Sequence, residues 1–144
     1  MSADQVFSLA SGVAVIGWIV LAAGALLRHD FHVTTLAGRI WPLGLAAIYT
    51  ALIIFFFRSA PGGFDSLAHV QLLFTSPWAA TAGWVHYLAF DLFVGAWITA
   101  EVLRLGIVRL VLIVLLPLTF LFGPVGLLTF FAAKAALLNK EVLA

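Results

Sequence analysis

Gly83-Trp84-Val85-His86-Tyr87-Leu88-Ala89-Phe90-Asp91-Leu92-Phe93-Val94-Gly95 lies in the middle of a 23-residue apolar stretch, Trp78–Ala100, whose one charge is Asp91. A helix needs roughly 20 apolar residues to cross a hydrocarbon core of about 30 Å, and this stretch has them. Working outward, three further stretches share that character: Val6–Leu27, Ile40–Phe57 and Leu110–Ala133. The composition agrees. Of 144 residues 65% are hydrophobic and 9% charged, with a mean hydropathy of +1.20. A soluble domain carries about 25% charged residues, so this chain cannot coat a water-facing sphere. Alternating strands of about ten residues, the mark of a membrane barrel, are not seen. The fold class expected is all-α: a polytopic membrane protein of one domain, residues 1–144, with four transmembrane helices in a bundle. The spans fall at about 6–27, 40–57, 78–100 and 110–133.

Seven Lys and Arg against six Asp and Glu give a net charge of +1, so no basic field exists to recruit nucleic acid. The absence of cysteine removes disulfides, iron–sulfur clusters, c-type haem and thiolate catalysis. The first stretch lacks a basic leading segment and its apolar run is too long for a signal peptide, so it reads as a retained helix. Trp41-Pro42 opens the second span. Ser76-Pro77-Trp78 opens the third, with Ser as N-cap, Pro at the first helical position and Trp at headgroup level. Glu101 and Arg104, three apart, form an ion pair at the end of that span. In the long second loop, Phe64, Leu67 and Phe74 suit a short helix lying in the interface. The cluster Arg28-His29-Asp30-Phe31-His32 reads as a solvated loop rather than a metal site, because His29 and His32 have no third ligand beside them. Four spans place both termini on one side. The absence of Lys and Arg before the first helix favours the outside, in an inner-membrane setting.

Polar groups at membrane depth carry the chemistry. At 1.5 Å per residue His86 lies roughly 4.5 Å from the middle of the third span, and Asp91 about 3 Å on the other side. An ionised Asp there costs about 2.5–3.5 kcal/mol, so both side chains are expected to face the bundle interior or a polar cavity. Low dielectric disfavours the charged form of an acid or a base, which leaves such groups able to give or take a proton near neutral pH. The pair suits acid–base chemistry on a lipid-soluble substrate. Five residues at 100° each set the two side chains 140° apart, so they cannot bond to each other; they flank a substrate from adjacent faces, or each meets a different neighbouring helix. Tyr87, one turn before Asp91, is its expected phenol partner. The bland account is that both residues bond across helices, worth about 0.6 kcal/mol on average. In the fourth span, Pro117 and Phe122-Gly123-Pro124-Val125-Gly126 remove backbone hydrogen bonds. Freed carbonyls at that depth line a cavity or lie buried in protein. Trp84, Tyr87, Phe90, Phe93 and Trp97 form an aromatic wall around the deep pair that fits an isoprenoid or polyene. A haem would need two deep histidines, and only His86 is deep.

Pro77-Trp78, Gly83 to Gly95, and Phe122-Gly123-Pro124-Val125-Gly126-Leu127-Leu128 together resemble the abscisic-acid-deficient-four-like family. These are small four-span membrane proteins of plants, algae and bacteria. The resemblance covers nearly the whole chain, and the absence of a plastid-targeting extension makes it look like a bacterial-type member. It implies a redox-neutral isomerase of the neoxanthin-synthase kind. A carotenoid 5,6-epoxide opens, a neighbouring vinylic proton leaves, and an allene with a tertiary alcohol forms. That chemistry needs an acid at oxygen and a base at carbon, with no cofactor and no metal. On this reading His86 and Asp91 are catalytic, and Trp84, Tyr87, Phe90, Gly123, Pro124 and Gly126 bind a carotenoid or isoprenoid substrate. Membrane lipid and a second copy of the chain are the partners expected. The competing reading is a non-enzymatic pigment- or lipid-binding subunit, or an assembly factor of a membrane complex.

Overall fold

The computed structural model describes residues 1–142, with side chains to residue 136, and among these it is all-helical. Helix α1 spans Ala3–Leu26. Ser2 starts it with a reciprocal cap: its hydroxyl accepts from the Gln5 amide at 3.3 Å, and the Gln5 side chain accepts from the Ser2 amide at 2.8 Å. The chain reverses at Arg28, which holds a left-handed φ of 63° while the His29 amide donates to the Gly24 carbonyl at 2.8 Å. It then enters a nine-residue π-helical segment, His32–Ile40, that runs without a break into α2, Trp41–Phe56, and a closing 3-10 turn, Phe57–Ser59. The second span is therefore His32–Ser59, 28 residues, and not 40–57. Arg39 and the two threonines hid its first part in the hydropathy pattern. A short helix, α3 (Leu67–Leu73), occupies the second loop, with Ser66 as its cap. Helix α4, Pro77–Arg104, starts as read, with the Ser76 hydroxyl accepting from the Ala79 amide and Pro77 in the first turn.

Three helices are long and apolar enough to cross a membrane: Ala3–Leu26, His32–Ser59 and Pro77–Arg104. The fourth apolar stretch, expected as one span over 110–133, is not one helix. It is α5, Leu112–Phe122, and α6, Pro124–Val142, broken at Gly123. Contacts at three levels show that the two halves double back. At the outer end Arg109 donates to the Ala25 carbonyl at 2.6 Å and reaches Asp30 at 3.1 Å, so the start of α5 sits at the end of α1. At the deep end Gly123 packs against the carboxylate of Asp91, midway along α4. On the return, Phe130 and Phe131 meet Trp97 at ring-centroid distances of 5.6 and 5.8 Å, and Lys134 comes within 3.7 Å of Glu101. From Gly123 to Lys134 and from Asp91 to Glu101 the chain climbs about 15 Å in each helix, so α6 runs beside α4 in the same direction. The physical cause is the Gly-Pro-x-Gly break. Pro124 has no amide hydrogen for the α5 ladder, and Gly126 lets the returning backbone close on Thr119 with no side chain between.

The core lies between α1, α2 and α4. Helices α1 and α4 run side by side: Phe7 stacks on Trp84 at 5.4 Å, and the indole of Trp18 lies over Gly95, where a Cβ would sit 2.5 Å from its ring. Helix α2 runs the opposite way. Phe56 stacks flat on Trp78 at 3.9 Å near one end, and the Trp41 indole donates to the Val13 carbonyl at 2.8 Å further along. Large apolar side chains cover much of the exterior, among them Ile19, Leu43, Phe55, Phe90, Ile113 and Leu128, as a lipid solvent requires. The expected ion pair is present, with Arg104 bonded to Glu101 at 2.7 Å.

Candidate functional site

Helix α4 carries both deep ionisable groups, and the 140° between them decides where each goes. Asp91 turns toward the α5–α6 hairpin and is buried, 9% exposed. Its Oδ2 is the one buried side-chain oxygen without a hydrogen-bond partner among the described residues. The hairpin closes over it through Gly123, a buried residue whose missing side chain leaves room for the carboxylate. Because Gly123 immediately precedes the first turn of α6, the N-terminal end of that helix lies at the Asp91 carboxyl group.

Tyr87, one turn earlier on α4, directs its hydroxyl to the Phe120 carbonyl at 2.8 Å. That carbonyl belongs to the last turn of α5, where the break leaves acceptors without amide partners. Trp84, a further turn back, stacks on Tyr87 at 5.2 Å and donates its indole N–H to the Ser11 hydroxyl at 2.9 Å. Asp91, Tyr87, Trp84, Gly123 and Gly126 are thus gathered on one side of α4. Pro124 is at the same tip, but its ring is exposed. Gly123-Pro124 lies at the depth of Asp91, but as a break between two helices rather than a kink in one.

His86 is not part of this group. The expectation that both deep side chains avoid lipid holds for Asp91 and fails for His86, which is exposed in the single chain. It lies between Tyr49 of α2, 5.4 Å away, and Phe90, 4.6 Å away, and lines a separate cavity of about 270 Å³. Ile53, Phe57, Phe64, Leu73 and Phe74 also line that cavity, so α2, α3 and the second loop build it with α4. Phe90 follows His86 onto this outer side and is 58% exposed. The pair therefore does not converge on one space.

An apolar groove of about 400 Å³ runs between α1 and α5, from Leu26 and Leu112 near the outer end to Val15 and Phe120 at the depth of the hairpin tip. Its deep end is Phe120, the residue whose carbonyl holds Tyr87. Trp18 bridges the two, with its ring edge-on to Phe120 at 5.5 Å. Trp18 and Thr119 escaped the sequence reading. Thr119 is wholly buried and bonds back to the Leu115 carbonyl at 2.8 Å.

Neither a curated protein nor a solved structure matches this chain. The family described as ABA DEFICIENT 4-like matches residues 5–130, a stretch that runs from the first turn of α1 through the α5–α6 break into the first turns of α6. With so much of its length matched, the chain belongs to the ABA DEFICIENT 4-like family.

Proposed function

We propose that this protein is an integral membrane isomerase of a carotenoid epoxide or related isoprenoid, in which Asp91 carries the proton chemistry. The observation that supports this reading most is the orphaned Oδ2 of Asp91 at mid-membrane. A fully buried acceptor with no partner costs about 1–3 kcal/mol, more for a charged group, and is retained where it serves a reaction. The protonated carboxyl gives its proton to the epoxide oxygen as the carbon–oxygen bond breaks. The other carboxyl oxygen takes the proton leaving the neighbouring vinylic carbon. The products are an allene and a tertiary alcohol, Asp91 ends protonated as it began, and no electrons are exchanged. The polyene lies in the α1–α5 groove with its end group against Phe120, Tyr87 and Asp91. Tyr87 holds the tip through the Phe120 carbonyl, and Trp84 braces Tyr87. His86 lines its own aromatic cavity toward α3, away from the polyene in this arrangement, and receives a second lipid there.

The test is product formation by membranes containing Asp91→Asn, supplied with a carotenoid 5,6-epoxide. Loss of one proton-transfer group lowers rate by about 10²–10⁴-fold. Full turnover in that variant ends the reading. The wholly apolar lining of the α1–α5 groove favours a second account, a pigment-binding protein without turnover. That account requires pigment to stay bound to both wild type and Asp91→Asn, with no product from either.

A further inference from the structure

Arg39 stands out once the second span is known to begin at His32. It lies in the π-helical segment, seven residues inside a helix long and apolar enough to span a bilayer. Gly38 beside it packs on Ala96 of α4, so Arg39 is level with residues about two turns below the end of that helix. Its side chain is exposed on the outside of the bundle, and among the described residues it has no acidic partner and no hydrogen bond. Of the other basic groups of this half of the molecule, Arg104, Arg109 and Lys134 are paired with Glu101 or Asp30, while Arg28 stands in the exposed turn after α1, outside the spanning helices. An uncompensated Arg on a lipid-facing surface is costly unless its guanidinium finds an anion. The side chain of a helical residue leans toward the helix N-terminus, here the near membrane surface, so the guanidinium rises toward headgroup level.

Directly below Arg39 is an apolar groove of about 350 Å³ between α2 and α4, lined by Pro42, Leu43, Ala46, Ala89, Phe90 and Phe93. Two alanines and a proline leave the channel open, and the two phenylalanines wall it. Its outer end carries a positive charge and the rest carries none. The charge distribution of the chain agrees. Of seven Lys and Arg, only Arg58 lies at the α3 end of the bundle. Arg28, Arg39, Arg104, Arg109 and Lys134 lie toward the other end, with Lys140 beyond Lys134 on α6. The positive-inside bias makes that end cytoplasmic, and the cytoplasmic leaflet is rich in anionic lipid.

We propose that Arg39 and the α2–α4 groove form a binding site for an anionic phospholipid, its phosphate on the guanidinium and one acyl chain along Leu43, Ala46 and Phe93. The shape and the charge both call for an amphiphile. A neutral polyene would leave Arg39 uncompensated, and a free phosphate would leave the groove empty. Guanidinium–phosphate geometry is bidentate and favours Arg over Lys. The site is distinct from the Asp91 pocket, on the other side of α4, and its fate does not depend on whether that pocket catalyses a reaction.

The test uses the full-length protein in nanodiscs of mixed phosphatidylglycerol and phosphatidylcholine. Lipid retained after gentle release is identified by native mass spectrometry. Wild type should retain one phosphatidylglycerol in preference to phosphatidylcholine by about fivefold, the factor set by roughly 1 kcal/mol per basic residue at an anionic surface. Arg39→Gln should erase that preference, and Arg39→Lys should keep part of it. Ala46→Phe, which fills the groove and leaves the charge, should lower total retained lipid of both kinds. An unchanged preference in Arg39→Gln would overturn the proposal. So would a dimer of the wild type that dissociates on Ala46→Phe without any bound lipid, because the occupant of the groove would then be a second copy of the chain.

Discussion

If α5 and α6 form a hairpin that enters and leaves on one side, the N-terminus and α6 lie on opposite sides of the membrane. Four continuous spans put them on the same side. Were 109 to 134 one straight helix, those positions would be about 37 Å apart along its axis. Instead Arg109 touches Ala25 and Lys134 approaches Glu101, and α1 and α4 run side by side, so both positions share one level. The natural chain has no cysteine, so single cysteines can be placed without background. Ser2→Cys and Ser59→Cys should react with a membrane-impermeant maleimide from one side of sealed vesicles. Arg28→Cys and Ala136→Cys should react only from the other. The paired variant Trp97→Cys with Phe131→Cys, whose native rings meet at 5.8 Å, should be bridged by a short bifunctional maleimide.

Labelling of Ala136→Cys from the Ser2→Cys side would refute the hairpin. The basic residues supply an independent expectation about direction. On the four-span reading they divide three against four, and the lack of basic residues before the first helix is what favours both termini outside. With the hairpin, six of seven lie toward one end. That end should be cytoplasmic, with the N-terminus outside, and fusion of a reporter to either end of the chain reads this directly.

Further expectations follow from single contacts. Gly123→Ala places a methyl group in the Asp91 carboxylate and should cost about 1–3 kcal/mol, read as a lower melting temperature in detergent. Combining it with Asp91→Ala, which removes the opposing atoms, should recover most of that loss. Arg109→Gln removes a charge-assisted bond to the Ala25 carbonyl and should cost about 1.5–3 kcal/mol, with faster proteolysis of the hairpin as a second readout. His86→Ala should lower turnover by less than tenfold, against the 10²–10⁴-fold loss on Asp91→Asn. Equal and complete losses from both would mean that the two residues serve one reaction centre.

Much of this architecture was legible in the residues, and the failures share a cause. Ser76 with Pro77 announces the start of α4 because capping is local chemistry; the same signal stands in Ser2 with Gln5, where hydropathy places the span only from Val6. Asp91 was legible from cost alone: a carboxyl at mid-membrane must be buried in protein. His86 was assigned the same fate by the same argument, yet it is exposed. The 140° between the two already implied different neighbours. What it could not supply was the identity of those neighbours, which depends on how α2 and the hairpin pack. The start of the second span was missed because hydropathy counts Arg39 and the threonines against it, while a side chain near the membrane surface can be polar and still helical.

The fourth stretch is the most instructive case. Leu110–Ala133 is long enough and apolar enough to cross the bilayer, so length and hydropathy gave the wrong count of continuous helices there. The determining feature was Gly123-Pro124-Val125-Gly126, read as a kink. A proline alone removes one hydrogen bond and bends a helix. Glycines on both sides of it remove the two side chains that would otherwise hold the arms apart, and the chain can then close on Thr119 and on Asp91. The same deletion of side chains makes the fold-back and makes space for the carboxylate. It also leaves the C-terminal carbonyls of α5 and the N-terminal amides of α6 at mid-depth, where only protein or ligand can satisfy them. Tyr87 meets one of those carbonyls, and Asp91 sits at the amide end. A broken helix whose freed ends both face α4 gives the Asp91 carboxyl a polar setting at a depth where lipid offers none, and that setting is what a proton-transfer group inside a membrane requires.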